Sequence, residues 1–394
     1  MLIRFRRCIR CYQGSVLAEI DEAALPSDFG SPWVLAGRTL AEPVFRMVRP
    51  LPAAEAAAEE NPDTLCAETS LQELRRAYEY PLAQVYPQTS TGATVAEPAE
   101  ETAALKVPEF NPAAADHSRK HTRLSIQGAP LAVLPVFPGT NCEWDMQRAF
   151  LKAGAKTRLV IFRNRSNDNI AASLKELAAA FEEAQIIAFS GGFSAGDEPD
   201  GSGKFIANVL RSPAIAGAIA DFLEKRDGLI LGICNGFQAL IKTGLVPYGR
   251  ILPIEETMPT LSFNTIGRHI SRMVRTRVMS NISPWLLLDE PGLVHTIPVS
   301  HGEGRMVVRG EEAQTLFAAG QVPFCYVDAA GNPTMAEPDN PNGSAFAIEG
   351  LTSPDGRVLG KMGHSERCGD FVHINIPGNK HQRIFEAGVR YFTG

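Results

Sequence analysis

No stretch of this chain approaches the roughly 20 consecutive apolar residues that a membrane-crossing helix needs, so no membrane span is expected. A basic excess is missing too. Lys and Arg number 38 against 44 Asp and Glu, a net charge of −6, which leaves no electrostatic footprint for nucleic acid. Cysteine is sparse and odd in number, seven in 394 residues, which argues against a disulfide framework and for reduced thiols in a cytoplasmic compartment. Cys8 and Cys11 form one C-x-x-C, but no second pair or histidine at ligand spacing accompanies it, so no metal site is expected. Met1 to Cys11 is Arg-rich yet lacks an apolar core and a small-residue cleavage site, which excludes a secretory signal. What is present is ordinary: 44% hydrophobic and 21% charged residues, enough for a sizeable core in two or three domains.

The grammar of the chain changes twice. Residues 1–88 offer few long periodic elements. Ser15 to Ile20 and Trp33 to Leu40 read as strands, and Ser70-x-x-Glu73 is a capping box opening a short helix through Leu74 and Tyr78 that Pro81 ends. This segment does not look able to close a core alone. Residues 89–129 are rich in Ala, Pro, Thr and Glu with little periodicity, and read as a linker.

From residue 130 to 394, strands and helices alternate. Strands are expected at Leu131 to Phe137, Arg158 to Phe162, Ile186 to Ser190 and Leu229 to Ile233. Helices are expected at about Glu143 to Ala153, from a cap at Ser173-x-x-Glu176 to near Glu183, and at Ile215 to Lys225. A loop rich in Gly and Asp is expected through Gly203. Such alternation predicts an α/β fold with a mostly parallel central sheet, whose sites lie at the carboxyl ends of the strands. Further strands are expected at Ser271 to Val278, Val294 to Val299, Arg305 to Val308, Phe324 to Val327, Ala345 to Glu349 and Val358 to Met362. A helix from about Gln382 to Phe392 closes the chain.

Gly228 to Gln238 is the stretch that carries chemistry. The apolar run Leu229 to Ile233 stops at Cys234, and a helical pattern follows at once through Phe237, Leu240 and Ile241. Gly232 and Gly236 stand two residues either side. This is a nucleophile elbow with sulfur in place of oxygen. The glycines leave room for a strained backbone, and the new helix points its positive end at the thiol, favouring thiolate. The alternative is a buried core cysteine at a strand end; the flanking glycines and the strand-to-helix switch favour the nucleophile.

A thiol needs a base. His364 follows the strand Val358 to Met362, and if that strand continues, Glu366 shares its face and holds the imidazole tautomer. The order Cys, His, Glu fits a nucleophile-elbow enzyme. His301, with Glu303 as helper, is a second possible base, but the glycines around Glu303 loosen it; a substrate-contacting loop, or an ordinary hairpin turn, are the other readings there. Gly191-Gly192-Phe193 follows the third strand, and its N–H groups together with that of Asn235 form a candidate oxyanion hole. A phosphate loop does not fit, because Ser202 stands at the position a lysine would need; that segment is expected to shape the pocket mouth.

These residues resemble a family. Phe137-Pro138-Gly139-Thr140-Asn141-Cys142-Glu143, Ser190-Gly191-Gly192-Phe193-Ser194 with Gly196-Asp197, Gly232-Ile233-Cys234-Asn235-Gly236-Phe237-Gln238, Ser300-His301-Gly302-Glu303-Gly304 and Gly363-His364-Ser365-Glu366-Arg367 are similar, in this order, to motifs of the class I (triad) glutamine amidotransferases. More narrowly they resemble the glutaminase domains of phosphoribosylformylglycinamidine synthases. The resemblance covers about two thirds of the chain and departs at Ser365, where many members carry proline. It implies a flavodoxin-like domain in which Cys234 attacks the glutamine amide, His364 shuttles the proton and Glu366 orients it. Gln238 would help hold glutamine, with Gly192, Phe193 and Asn235 around the oxyanion. It implies no cofactor in this chain; ATP and Mg belong to a synthetase portion that takes the ammonia. Gly14 to Arg46 and Leu71 to Pro87 resemble the tail of such a synthetase, so the chain looks like a C-terminal fragment that works with the rest in cis or in trans. Another cysteine hydrolase on the same fold, or a catalytically idle regulatory subunit, are the alternatives.

Overall fold

The computed structural model describes residues 44–50, 63–73, 126–196 and 202–394. The strands expected at Ser15 to Ile20 and Trp33 to Leu40, the Cys8–Cys11 pair, the linker up to residue 125 and the loop 197–201 lie outside the described residues. The chain divides into two units, residues 1–87 and 88–394.

In the first unit, β1 (Val44–Pro50) pairs antiparallel with β2 (Asp63–Ser70), with a register irregularity between Met47 and Val48. Neither strand shows a clean two-residue alternation in sequence, and neither was expected. The capping box at the end of β2 is formed in both directions: Ser70 N–H donates to Glu73 Oε2 at 3.1 Å and Glu73 N–H to Ser70 Oγ at 3.0 Å.

The second unit follows the expected alternation. Its first half runs β3 (Leu131–Val136), α1 (Glu143–Lys152), β4 (Lys156–Ile161), α2 (Asn167–Glu183), β5 (Ile186–Phe189), α3 (Lys204–Leu210), α4 (Pro213–Glu224) and β6 (Leu229–Ile233). There follow α5 (Asn235–Thr243), the single turn α6 (Leu245–Tyr248), β7 (Thr260–Phe263), β8 (Ile270–Val278), β9 (Val294–His301) and β10 (Glu303–Val307). The last elements are α7 (Gly310–Ala318), β11 (Phe324–Tyr326), β12 (Ile348–Thr352), β13 (Val358–Lys361) and α8 (Ile384–Thr393).

Nine strands form one sheet in the order β4-β3-β5-β6-β13-β12-β11-β8-β9. From β4 to β13 neighbouring strands are parallel, and from β13 onward they are antiparallel. The sheet is therefore mixed, with its parallel half built by the βα units and carrying the elbow. Strands β5 and β6 are buried along their whole length, as apolar runs without alternation require. A second, two-stranded sheet pairs β7 with β10.

Several boundaries differ from expectation. Helix α2 starts seven residues earlier than Ser173-x-x-Glu176 suggested, because Ser166 is its cap and accepts from Asn169 N–H at 3.2 Å. Ser173 lies inside the helix on its buried face, where its hydroxyl accepts from Arg163 N–H, and Glu176 pairs with Arg163 at the surface. No Pro or Gly interrupts residues 167–183, so nothing stops the helix from extending back to Ser166. Helices α3 and α7 and strand β7 were not expected at all. The strand expected at Ala345 to Glu349 begins at Ile348, after a short 3-10 turn at Ala345–Ala347.

The elbow glycines are fixed by packing. A Cβ on Gly236 would stand 2.2 Å from the Phe189 carbonyl oxygen of β5, and one on Gly232 would stand 2.8 Å from the Gly236 carbonyl carbon. The clash at Gly236 is with backbone, which cannot step aside cheaply. Gly236→Ala is expected to destabilise the unit by about 1–3 kcal/mol, read as a melting temperature several degrees lower; an unchanged melting temperature would show that α5 can slide on the sheet.

Candidate active site

The parallel sheet brings the site together. Strand β6 ends at Ile233, and Cys234 turns the chain into α5 with φ 54° and ψ −106°, a strained conformation for a residue carrying a Cβ. Hydrogen bonds hold the turn from both sides: Cys234 N–H donates to the Lys361 carbonyl at 2.8 Å, and Gln238 N–H to the Cys234 carbonyl at 3.0 Å. The thiol is buried and donates to the Ser300 carbonyl at the end of β9, 3.6 Å away. It sits at the N-terminus of α5, where the helix dipole favours negative charge.

Strand β13 lies beside β6 in parallel, with Lys361 level with Ile233, so the chain leaving β13 emerges next to Cys234. His364 N–H is tied to the Pro298 carbonyl at 2.9 Å, and its Nδ1 lies 2.5 Å from Glu366 Oε1. The strand itself ends at Lys361, and Arg367 N–H bonds back to the His364 carbonyl. His364 and Glu366 thus meet across a turn and not, as the sequence suggested, as alternate residues on one strand face. Both are fully buried. Burial opposes charge on the imidazole, but the Glu366 carboxylate, with the nearby Cys234 and Cys142 thiols, outweighs it and raises the His364 pKa well above its ordinary value. Burial likewise pushes the Glu366 carboxyl up, and the His364 imidazole, a backbone hydrogen bond and Arg367 together bring it below the ordinary carboxylate range. Each partner thus favours the charged form of the other.

Gly191 shows how closely these groups converge. A Cβ there would lie 2.7 Å from His364 Cε1, 3.1 Å from Cys142 Sγ and 3.4 Å from Cys234 Cβ. Only hydrogen fits.

Beneath the His364 turn lies a buried polar scaffold that sequence reasoning did not find. Lys361 Nζ pairs with Glu349 Oε1 at 3.2 Å and donates to the Gly363 carbonyl at 2.7 Å and Ser365 Oγ at 3.0 Å. Glu349 Oε1 also accepts from Gly363 N–H at 2.6 Å, and the Ser365 hydroxyl donates to Gln382 Oε1. Ser365, where a proline is common, therefore anchors the turn through its hydroxyl. The signal was a lysine closing an otherwise apolar strand: such a group stays buried only when paired.

The proposed oxyanion segment is arranged differently from expectation at one residue. Phe193 N–H donates to the Gly139 carbonyl at 2.8 Å, so it is not turned toward an oxyanion here, and its exposed ring leans on His269 with centroids 5.9 Å apart. No hydrogen bond among the described residues engages the Gly192 N–H, which leaves it able to donate. Asn235 and Gln238 link the surrounding pieces. Asn235 Oδ1 accepts from Ser194 N–H at 3.2 Å, and Asn235 Nδ2 donates to Gln238 Oε1 at 2.9 Å. Gln238 Nε2 donates to the Glu303 carbonyl, and Glu303 Oε2 accepts from Ser202 N–H at 2.9 Å. Gln238 is thus engaged at both ends within the protein.

His301 and Glu303 do not act on one another. His301 Nδ1 lies 3.1 Å from Asn264 Oδ1, and burial, aided by the nearby His364 and His269, depresses its pKa to about 3. It is neutral at working pH and too weak a base to replace His364. Its strand nevertheless delivers the Ser300 carbonyl to the Cys234 thiol, so the loop borders the site.

Cys142 and Arg367 also stand at this centre, although only the surrounding motifs had drawn notice. Among the described residues one group of donors is compact enough for a metal, Cys142, His364 and Glu366, whose ligating atoms lie within 4.8 Å of one another. These atoms are already engaged: the imidazole nitrogen and carboxylate oxygen are hydrogen-bonded at 2.5 Å, and Arg367 Nη2 donates to the sulfur at 3.0 Å. A metal would have to displace both bonds. No single helix among the described residues is long and apolar enough to cross a membrane.

Residues 129–392, the stretch that builds this sheet and its elbow, match the family of CobB/CobQ-like glutamine amidotransferase domains. The chain belongs to that family and is a glutamine amidotransferase, the class that its motifs suggested. Its curated relatives include the phosphoribosylformylglycinamidine synthase subunit PurQ of Methanococcus maripaludis, 36% identical over 280 residues that cover 65% of this chain and 94% of the relative. The PurQ subunit of Aquifex aeolicus is 32% identical over 239 residues, covering 60% of this chain and 90% of the relative. Among solved structures, PurLQS from Thermotoga maritima is similar with 28% identity and a TM-score of 0.48, covering 67% of this chain and 99% of that one.

Proposed function

We propose that the chain is the glutaminase of a phosphoribosylformylglycinamidine synthase, acting through a triad of Cys234, His364 and Glu366. The observation that carries this reading is the elbow cysteine at the end of β6, beside a buried imidazole bonded to a carboxylate at 2.5 Å. Cys234 Sγ attacks the side-chain amide carbon of glutamine, and the thiol proton passes to His364. The oxyanion faces the Gly192 N–H and the N-terminus of α5. As the C–N bond breaks, the imidazolium gives its proton to the leaving nitrogen and ammonia departs. Water, deprotonated by His364, then cleaves the glutamyl thioester to glutamate and restores the thiol. Glu366 stays ionised throughout, fixing the proton on Nδ1 and offsetting the positive charge on the ring.

The PurQ relatives support the wider role: ammonia goes to a synthetase chain, where ATP and Mg activate formylglycinamide ribonucleotide for conversion to the amidine in purine biosynthesis, in the cytoplasm. Asn235, Gln238, His301 and Glu303 border the glutamine site in this reading. Gln238 then acts chiefly by holding the 301–303 turn against α5. The purified chain is expected to release glutamate from glutamine slowly, and at least about tenfold faster when a synthetase chain with its nucleotide substrate and Mg-ATP is supplied. Cleavage of a peptide library with glutamine ignored would replace this reading with that of a peptidase.

A further inference from the structure

We propose that Cys142 is a positioning residue for His364: held by Arg367 and Asn141, its sulfur backs the ring at Nδ1 as a second acceptor beside Glu366, which places the proton there. The inference rests on the triad reading above. Cys142 is 1% exposed and immediately precedes α1. Its hydrogen bonds can be fully assigned. The thiol proton goes to Asn141 Oδ1 at 3.1 Å, and Arg367 Nη2 donates to the sulfur at 3.0 Å. The sulfur lies 4.0 Å from His364 Nδ1, the same nitrogen that Glu366 Oε1 approaches to 2.5 Å.

Nδ1 therefore faces two acceptors. With the thiol proton directed to Asn141, Cys142 does not compete as a donor, so the proton belongs on Nδ1 whichever state Nε2 takes. Nε2 is buried and has no hydrogen-bond partner, which leaves it for the proton traffic of Cys234. Position is fixed as well as tautomer. The ring edge at Cε1 rests on Gly191, where even a methyl group would stand 2.7 Å away, and Cys142 Sγ closes the same gap. Arg367 has a second effect, since its charge also favours the ionised form of Glu366. Cys142 thus joins the guanidinium to the imidazole.

The test compares three variants in the full chain assayed with its synthetase partner: Cys142→Ser, Cys142→Val and Cys142→Ala. Serine keeps a donor and an acceptor, valine keeps bulk without either, and alanine keeps neither. The first readout is glutaminase kcat and KM across pH. The second is the 15N resonance of His364 Nδ1, assigned by loss in His364→Asn. Serine is expected to retain kcat within about threefold, whereas valine and alanine lose about tenfold at nearly unchanged KM. In valine the Nδ1 resonance should shift, because one of its two acceptors is lost, and in serine it should not. Equal behaviour of the serine and valine variants, at any level of activity, would overturn the proposal, and so would recovery by valine alone, which would mean that only volume matters. Should the wild-type chain prove inactive on glutamine while the resonance still responds to Cys142→Val, the glutaminase reading fails and the positioning role stands.

Discussion

Cys234→Ala is expected to lower glutamate release by about 10⁴-fold or more, the scale on which loss of a covalent nucleophile is felt. The other parts of the site would remain, but none of them can form the thioester. Alanine keeps the Cβ that the strained backbone already accommodates at φ 54°, so the elbow should survive and the melting temperature should hardly move. The substitution therefore separates chemistry from folding. Glutamine binding, measured by calorimetry, should persist in the variant, because in the proposed mode the amide oxygen faces the Gly192 N–H and the N-terminus of α5 and not the thiol. Residual turnover within tenfold of wild type would mean that Cys234 is not the nucleophile.

Glu366→Gln should cost about 10³–10⁴-fold in kcat with a small change in KM, as when the acid of a triad is replaced by its amide. Gln is nearly isosteric and its carbonyl oxygen can still accept from Nδ1, so the geometry is preserved and the charge is lost. Glu366 is the largest of the influences that raise the His364 pKa against burial. Without it, burial wins and the imidazole loses its proton more readily. Because the ring must protonate the departing ammonia, the alkaline limb of the kcat profile should move to lower pH in the variant. Stability has the opposite dependence for the two partners. The depressed Glu366 contributes stability above the unfolded carboxylate pKa that is lost as pH falls through its folded value. The raised His364 contributes below the unfolded imidazole pKa, and that part is lost as pH rises through its folded value. Melting temperature against pH should therefore flatten at both ends in Glu366→Gln. An unchanged profile of activity with pH would remove Glu366 from the chemistry.

Much of this site was legible before any coordinates because the chemistry is compressed into short motifs at strand ends. The elbow was readable because an apolar run, a cysteine and two spaced glycines admit few other arrangements. The reason for the glycines proved to be the approach of α5 to the Phe189 carbonyl. His364 and Glu366 were found by a rule that did not apply: they meet in a turn, whereas strand alternation had been assumed. The segment expected to hold the oxyanion lies beside Cys234, but which of its N–H groups is left unbonded depends on the bridge between Thr140 and Gly192, a contact across 52 residues that no local pattern encodes. The buried scaffold of Lys361, Glu349 and Ser365 left one local sign, the lysine that closes an apolar strand. Its partners were not legible, because the pairing of β12 with β13 is what brings Glu349 to it. Helix α2 failed in a simpler way, since Ser173 with Glu176 copies a cap that Ser166 provides.

The covalent intermediate offers the most direct check. The chain mixed with glutamine and its synthetase partner, quenched in acid within the first turnover and digested, should yield a glutamyl adduct by mass spectrometry on the peptide that contains Cys234. It should accumulate further when hydrolysis is slowed by Glu366→Gln. An adduct on Cys142 or another thiol, or turnover with no adduct at Cys234 at any time, would contradict the account.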